Sequence, residues 1–292
     1  MNKSFVHLHA HTEYSMLDGA AKIKDYLKKV SELNQPAAAI TDHGNLYGAL
    51  EFYNEATKIG VKPIIGYEAY LTPTSRFERP ERDKNKRYHL TLLAENNEGY
   101  QNLVELVSKA YLEGYYYKPR IDYELLQEYS TGLIALSGCL GGEIAQFLAP
   151  DGSKEEGNND AVRSYEDALL VAKKYQQIFG KDNFFIELHN HGIPQQIEIL
   201  SDLVKISKEI GAPLVATNDS HYVEEINSSA HDALLCVQTN ATLDDENRFK
   251  FEGSGYYVKS SEEMRELFPE NKYLDACDNT LKIAERIEYN FE

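Results

Sequence analysis

Histidine, aspartate, glutamate and cysteine hold metals and move protons, and this sequence sets them in short recurrent patterns. The opening "HLHAHTEYSMLDG" (7–19) places His7, His9 and His11 on alternate positions, then Asp18, and so spends three of nine histidines at the start of the chain. "TDH" brings Asp42 and His43, "SGC" brings Cys139, and "NDSH" brings Asp219 and His221. Imidazole and thiolate suit zinc and related transition metals, while carboxylates bridge ions and complete harder sites. A lone histidine or aspartate reads as surface or satisfied core. "HxH", "DH" and "DSH" at the ends of three β-rich runs read as a metal cluster.

The elements that must position these groups alternate along the chain. Seven β-rich runs are expected at 4–10, 37–42, 62–72, 88–94, 132–138, 183–189 and 212–219. Between them, 21–33, 102–114, 161–180 and 197–211 carry apolar residues at three- and four-residue steps, the pattern of helices covering a sheet. Gly60, Gly180 and Gly211 sit where helix C-caps belong. The order predicts a mostly parallel α/β fold. In an α/β barrel the C-terminal ends of the strands carry the site, so groups remote in sequence meet at one mouth. The stretches 73–87 and 149–160 are polar and read as exposed loops. The last part, 260–292, reads as a helical pair broken at Pro269, with no strand of its own.

Composition bounds the function. The 292 residues are 42% hydrophobic and 26% charged, as in soluble globular proteins. A net charge of -17, from 47 acidic and 30 basic residues, argues against a stand-alone duplex-binding module. Bound cations can still reverse the local field and let an acidic protein handle phosphates. Three dispersed cysteines, Cys139, Cys236 and Cys277, make neither a CxxC pair nor a disulfide framework, which fits a reducing cytoplasm. The N-terminus lacks a signal-peptide core and no apolar run is long enough to span a bilayer, so no membrane role is expected.

The strings "HLHAHTEYSMLDGA", "AITDHGNLYGALEFY" (39–53), "IIGYEAY" (64–70), "HLTLLAENNEGYQNLVELVS" (89–108), "GYYYKPRID" (114–122), "LSGCLGGEI" (136–144), "IELHNHG" (186–192) and "VATNDSHYV" (215–223) run in order over nearly the whole chain. They closely resemble the PHP (polymerase and histidinol phosphatase) family, on the branch at the N-terminus of bacterial replicative DNA polymerase III alpha subunits. "TDHGNLYGA" and "YKPRID" favour that branch over the small phosphatases. The resemblance implies a distorted (β/α)7, TIM-like barrel over 1–259, with 260–292 as a helical extension leading toward a polymerase region outside this chain. It implies up to three divalent metals, zinc or manganese, with iron or magnesium as further options. By motif the nine ligand places fall on His9, His11, Asp18, His43, Glu68, His89, Cys139, Asp219 and His221, and each holds a competent side chain. His7 lies outside that pattern and is expected to orient or pack beside it.

The implied activity is metal-dependent phosphodiester hydrolysis at a DNA 3′ end, a proofreading exonuclease. Glu68, Asp219 and His221 would carry the chemistry, with Tyr14, Lys118 and Arg120 on the substrate side. Partners would be the DNA 3′ end, the polymerase region of the same chain and other replisome subunits. Two rivals use the same ligands: a phosphomonoesterase acting on a small molecule such as histidinol phosphate, and a non-catalytic barrel braced by metals that docks a separate exonuclease. Asp42 reads equally as an orienting group and as a strand-end cap. Glu187, His189 and His191 have a ligand-like spacing that the family pattern does not use, and read as structure or substrate-side contacts. Cys236, in the apolar "ALLCVQ", reads as core.

Overall fold

A computed structural model describes residues 4–81, 84–149 and 162–290. Most of the expected loop at 149–160 lies outside the described residues. The regular elements are α1 (Ile23–Glu32), β1 (Ala37–Ile40), α2 (Ala49–Lys58), β2 (Lys62–Leu71), β3 (Tyr88–Ala94), α3 (Asn97–Leu112), β4 (Arg120–Ile121), α4 (Tyr123–Glu128) and β5 (Leu133–Leu136). They continue with α5 (Glu143–Leu148), α6 (Tyr165–Phe179), β6 (Phe184–Leu188), α7 (Pro194–Ile210), β7 (Leu214–Ala216), α8 (Ser228–Thr239), α9 (Ser261–Leu267), α10 (Glu270–Tyr273) and α11 (Asp278–Arg286). α7 shows how local sequence sets these bounds: Pro194 occupies its first turn, where the missing N–H costs nothing, and Gly211 ends it at φ 69°. Among the described residues no helix is long and apolar enough to cross a membrane.

The strands form one curled sheet in the order β1-β2-β3-β5-β6-β7, with β4 beside β2, and helices cover its outer face in a distorted barrel. One expectation needs correction. The segment 4–10 is not a regular strand: it makes single bridges, His7 to Ala38 and Ala10 to Ser220, and bends at His9. It thereby links the β1 edge to the chain leaving β7, dividing its hydrogen bonds between two neighbours instead of completing a ladder with one. The sheet is mostly parallel, as expected, with β3 running antiparallel to both β2 and β5. That reversal brings the first residues of β3 to the same rim as the last residues of its neighbours: His89 pairs with Tyr70 near the end of β2.

Strand periodicity explains the layout of the interior. Side chains alternate faces along a strand, and Ile64, Leu93, Ile134, Phe185 and Val215 share one buried cluster inside the barrel with Val6 and Leu8. Continuing each series by steps of two toward the rim gives Glu68 on β2, Thr91 and His89 on β3, Glu187 on β6 and Asp219 after β7. The inward face is therefore apolar at one end and ligand-rich at the other.

α11 closes the apolar end. Ile283, Ala284 and Ile287 join the interior cluster, and Lys62 at the start of β2 donates to the Ala284 carbonyl at 2.6 Å. The expected helical pair in 260–292 is three segments, since a further break follows Tyr273. Met264, Phe268, Tyr273, Ala276 and Cys277 pack into the main core beneath the covering helices, so this extension is integral to the barrel's packing.

Candidate metal centre

All nine side chains of the expected ligand set meet at the rim. His9 and His11 come from the irregular first segment, Asp18 from the turn after it, His43 from the loop after β1 and Glu68 from β2. His89 opens β3, Cys139 follows β5, and Asp219 and His221 follow β7. Glu68 lies at the middle: Oε1 is 3.0 Å from His89 Nδ1 and 3.5 Å from His9 Nε2, while Oε2 is 2.8 Å from His43 Nδ1 and 3.3 Å from His11 Nε2. Asp219 Oδ1 stands 3.4 Å from His9 Nε2 and 3.1 Å from His11 Nε2. Asp18 Oδ2 lies 2.9 Å from His43 Nε2 and 3.1 Å from His221 Nε2. Cys139 Sγ is 3.5 Å from His89 Nδ1 and 3.7 Å from Glu68.

The electrostatics follow from putting three carboxylates among imidazoles in a buried place. Burial alone would raise Glu68, but His89, His43 and His9 hold it well below the usual carboxylate range. Asp219 is likewise held down against burial by His9, His221 and His11, and Asp18 by His221 and His43. The same pairs act in reverse on His9, which burial would lower but Asp219, Glu187 and Glu68 hold well above its ordinary value. Burial pushes the Cys139 thiol up to about 11, and Glu68 adds to the shift. A cation placed among these groups would favour the thiolate instead.

Orphaned atoms show what the cluster fits. His9 Nε2, His11 Nε2, His43 Nδ1, Glu68 Oε2 and Asp219 Oδ1 are buried and make no hydrogen bond among the described residues. Stranding buried polar atoms costs about 1–3 kcal/mol each. Here they face one another in groups such as His11, Asp18, His43 and His221, or His43, Glu68 and His89, whose donor atoms lie within 4.8 Å. Nitrogen and carboxylate oxygen converging in this way fit divalent cations.

The groups behind the ligands fix their orientation. Ser15 Oγ donates to Asp42 at 2.8 Å, so its one proton is committed, and it accepts from His11 Nδ1 at 2.9 Å. Nε2 of His11 is thereby turned toward the cluster. Asp42 also accepts from the Thr12 amide and hydroxyl, making it an orienting group for the whole turn. His221 Nδ1 donates to the Asp219 carbonyl at 2.8 Å, and Asp219 itself sits in the left-handed region at φ 46°. At Gly138, φ is +87° and an added Cβ would meet the His89 carbonyl at 2.6 Å, so the turn presenting Cys139 requires glycine.

Other expected residues fall as follows. His7 is buried apart from the cluster and donates Nε2 to the Lys259 carbonyl at 2.9 Å, because the bend at His9 breaks the alternation that would align it. Lys118 is half-buried at the rim with its amine 5.2 Å from the Tyr70 ring, which stacks on His43 at 5.8 Å. Tyr14 is half-buried and donates its hydroxyl to Glu51. Arg120 is a correction: its side chain is wholly buried and its guanidinium donates to the carbonyls of Gly114, Arg76 and Glu78 and to Asn85 Oδ1, so it faces inward rather than toward a phosphate. Cys236 is buried in α8.

Sequence reasoning missed His231, which donates to the Asp18 carbonyl at 2.7 Å from α8, and Phe251, whose ring lies 4.7 Å from that of His221. Neither stands at a strand end, and the sequence carries no other cue for them.

The family model for the PHP domain matches residues 7–191. The DNA polymerase III subunit alpha of Thermus aquaticus is 51% identical over 286 residues, covering 96% of this chain and 22% of that protein. Its counterpart in Deinococcus radiodurans is 50% identical over 292 residues, covering 97% and 21%. The chain thus spans about a quarter of the length of the curated relatives it matches. Among solved structures, histidinol phosphate phosphatase from Lactococcus lactis, complexed with zinc, L-histidinol and phosphate, aligns with a TM-score of 0.40 at 12% identity, over 75% of this chain and 87% of that one. On the family match and the near-complete alignment with these subunits, the chain belongs to the PHP domain family, on the branch carried by bacterial DNA polymerase III alpha subunits.

Proposed function

We propose that this chain is a metal-dependent phosphoesterase that removes nucleotides from a DNA 3′ end beside the polymerase region of a longer alpha subunit. The observation that carries the reading is the convergence of nine donor side chains, several of their buried atoms without hydrogen bonds, on one rim of the barrel. Up to three divalent cations, zinc or manganese first and iron or magnesium as alternatives, would be held by His9, His11, Asp18, His43, Glu68, His89, Cys139, Asp219 and His221. Cations bound there would supply an acidified water and a positive field for phosphoryl oxygens.

The chain's own residues do the rest. Glu68 presents one oxygen to His9 and His89 and the other to His11 and His43, an arrangement suited to bridging. Asp219 and His221 complete the rim beside Asp18, and with Glu68 they are the residues we assign to the chemistry. Lys118 offers its ammonium to a backbone phosphate at the same rim. The exposed rings of Tyr115 and Tyr117, and the ring of Tyr14, offer stacking faces for unpaired bases. We read 1–259 as the barrel unit and 260–292 as an extension packed into its core, with the polymerase region of a longer chain and other replisome subunits as partners.

The burial of His9, His11 and Glu68 favours a second reading, in which the metals brace a docking barrel. The test is degradation of a 5′-labelled primer with a 3′ mismatch in Zn²⁺ or Mn²⁺, beside Asp219→Asn. Stepwise shortening that the folded variant loses supports the nuclease; equal absence of cleavage, with metal bound, supports the brace.

A further inference from the structure

Glu187 lies on the inward face of β6, one turn of the pleat below the rim, and is buried. Its Oε1 accepts from three donors: His9 Nδ1 at 2.7 Å, His189 Nε2 at 3.0 Å and the Thr217 hydroxyl at 2.6 Å. Its Oε2 accepts from the Gly138 amide at 2.8 Å, in the turn that leads to Cys139. An ionised carboxylate only accepts, so each imidazole must place a proton on the nitrogen facing Glu187. The other nitrogen of each ring then points into the centre. His9 Nε2 faces Glu68 and Asp219 Oδ1. His189 Nδ1 is buried, makes no hydrogen bond among the described residues, and lies 4.0 Å from Asp219 Oδ2.

We propose that Glu187 is a positioning residue of the metal centre: it fixes the tautomers of His9 and His189 together, so that His9 Nε2 is a ligand atom and His189 Nδ1 is a tenth inward-facing lone pair beside Asp219. Direct metal binding in the triad His9, Glu187 and His189 is the competing use of the same atoms. It would require breaking the bonds at 2.7 and 3.0 Å, and the Oε1 atom is already shared by three donors. Glutamine cannot replace the carboxylate. Its single oxygen leaves either the Gly138 amide or the three donors on the Oε1 side facing an NH₂ group. The inference rests on the metal-centre reading above.

The experiment titrates metal-stripped protein with Co²⁺, read by visible absorption, and with Zn²⁺ by competition, for wild type, Glu187→Gln and Thr217→Val. Glu187→Gln is expected to bind about 10- to 100-fold more weakly at one site, with an altered Co²⁺ spectrum. Thr217→Val removes one bond to Glu187 without touching His9, and is expected to bind within about twofold of wild type. Equal affinity and spectrum for Glu187→Gln and wild type would overturn the inference and leave the metal centre standing. Equal losses in both variants would also overturn it, because Glu187 would then act through packing. A wild type that binds no metal would overturn both readings. Should Glu187→Gln not fold, ¹⁵N-labelled histidine in the Zn²⁺-loaded wild type decides by NMR. Protons on His9 Nδ1 and His189 Nε2 support the inference, and a proton on either opposite nitrogen refutes it.

Discussion

Replacing Arg120 separates the phosphate contact expected from "YKPRID" from the inward role found for it. The guanidinium makes four hydrogen bonds at 2.7–3.0 Å, three of them to backbone carbonyls of the 73–87 loop and the α3 end, and the side chain is wholly buried. Arg120→Ala strands four acceptors at about 1 kcal/mol each and loses two buried methylenes, Cγ and Cδ, at about 0.8 kcal/mol each. The loss comes to about 6 kcal/mol, an upper figure because water can reach a truncated site near the surface. Arg120→Lys keeps the stem and the charge but replaces the planar fork with three donors at one point, and is expected to cost about 2–3 kcal/mol. Urea unfolding of both variants beside Lys118→Ala, with a single-stranded oligonucleotide titration at fixed salt, reads both roles at once. Both Arg120 variants should shift the urea midpoint, and Arg120→Lys should bind the oligonucleotide as wild type does. Lys118→Ala should do the opposite. An Arg120→Lys protein of wild-type stability that has lost oligonucleotide affinity would refute the inward assignment.

Two further outcomes follow from the same interior. Zn²⁺ added to chelator-stripped protein should stabilise it by about 2.7 kcal/mol per site at one hundred times the dissociation constant, a rise of about 4 °C in Tm per site for a chain of 292 residues; calorimetry showing no shift would refute a metal centre in the folded state. Burial pulls Lys259 down to about 8, against a value near 10.4 in the unfolded chain. Between those values the unfolded state binds the extra proton, so stability relative to Lys259→Met should be flat below about pH 8 and rise by up to about 3 kcal/mol toward pH 10.5. Urea midpoints of the two proteins that keep a constant difference across that window would contradict the assignment.

Six of the seven expected β runs contain a strand, and the four expected cover helices form within a few residues of their expected bounds. Periodicity works there because each element buries one face against the sheet. It fails at 4–10, where the apolar pattern is sound but the backbone links the β1 edge to the chain beyond β7 and bends at His9. It also misses β4, since a two-residue strand has no period to detect. Strand direction is likewise invisible in a hydrophobic pattern, which is why the antiparallel β3 was not foreseen although its residues were.

The candidate ligands were legible for a different reason from the groups that orient them. A ligand must reach the rim, so it falls at a strand end and carries a nitrogen, sulfur or carboxylate, and both properties can be read from a string. An orienting group only has to lie one step deeper on the same inward face. Glu187 and Thr217 stand two residues before His189 and Asp219 along their strands, and Thr91 two residues after His89 on the reversed one. That offset is the pleat itself, and once the direction of each strand is known it turns every rim residue into a pointer to the residue behind it. On β6 the pointer leads from His189 to Glu187, the carboxylate that also holds His9, 178 residues away in the chain. The sequence offered the E-x-H spacing but not its partner, because closure of the barrel, rather than any local pattern, brings His9 to β6.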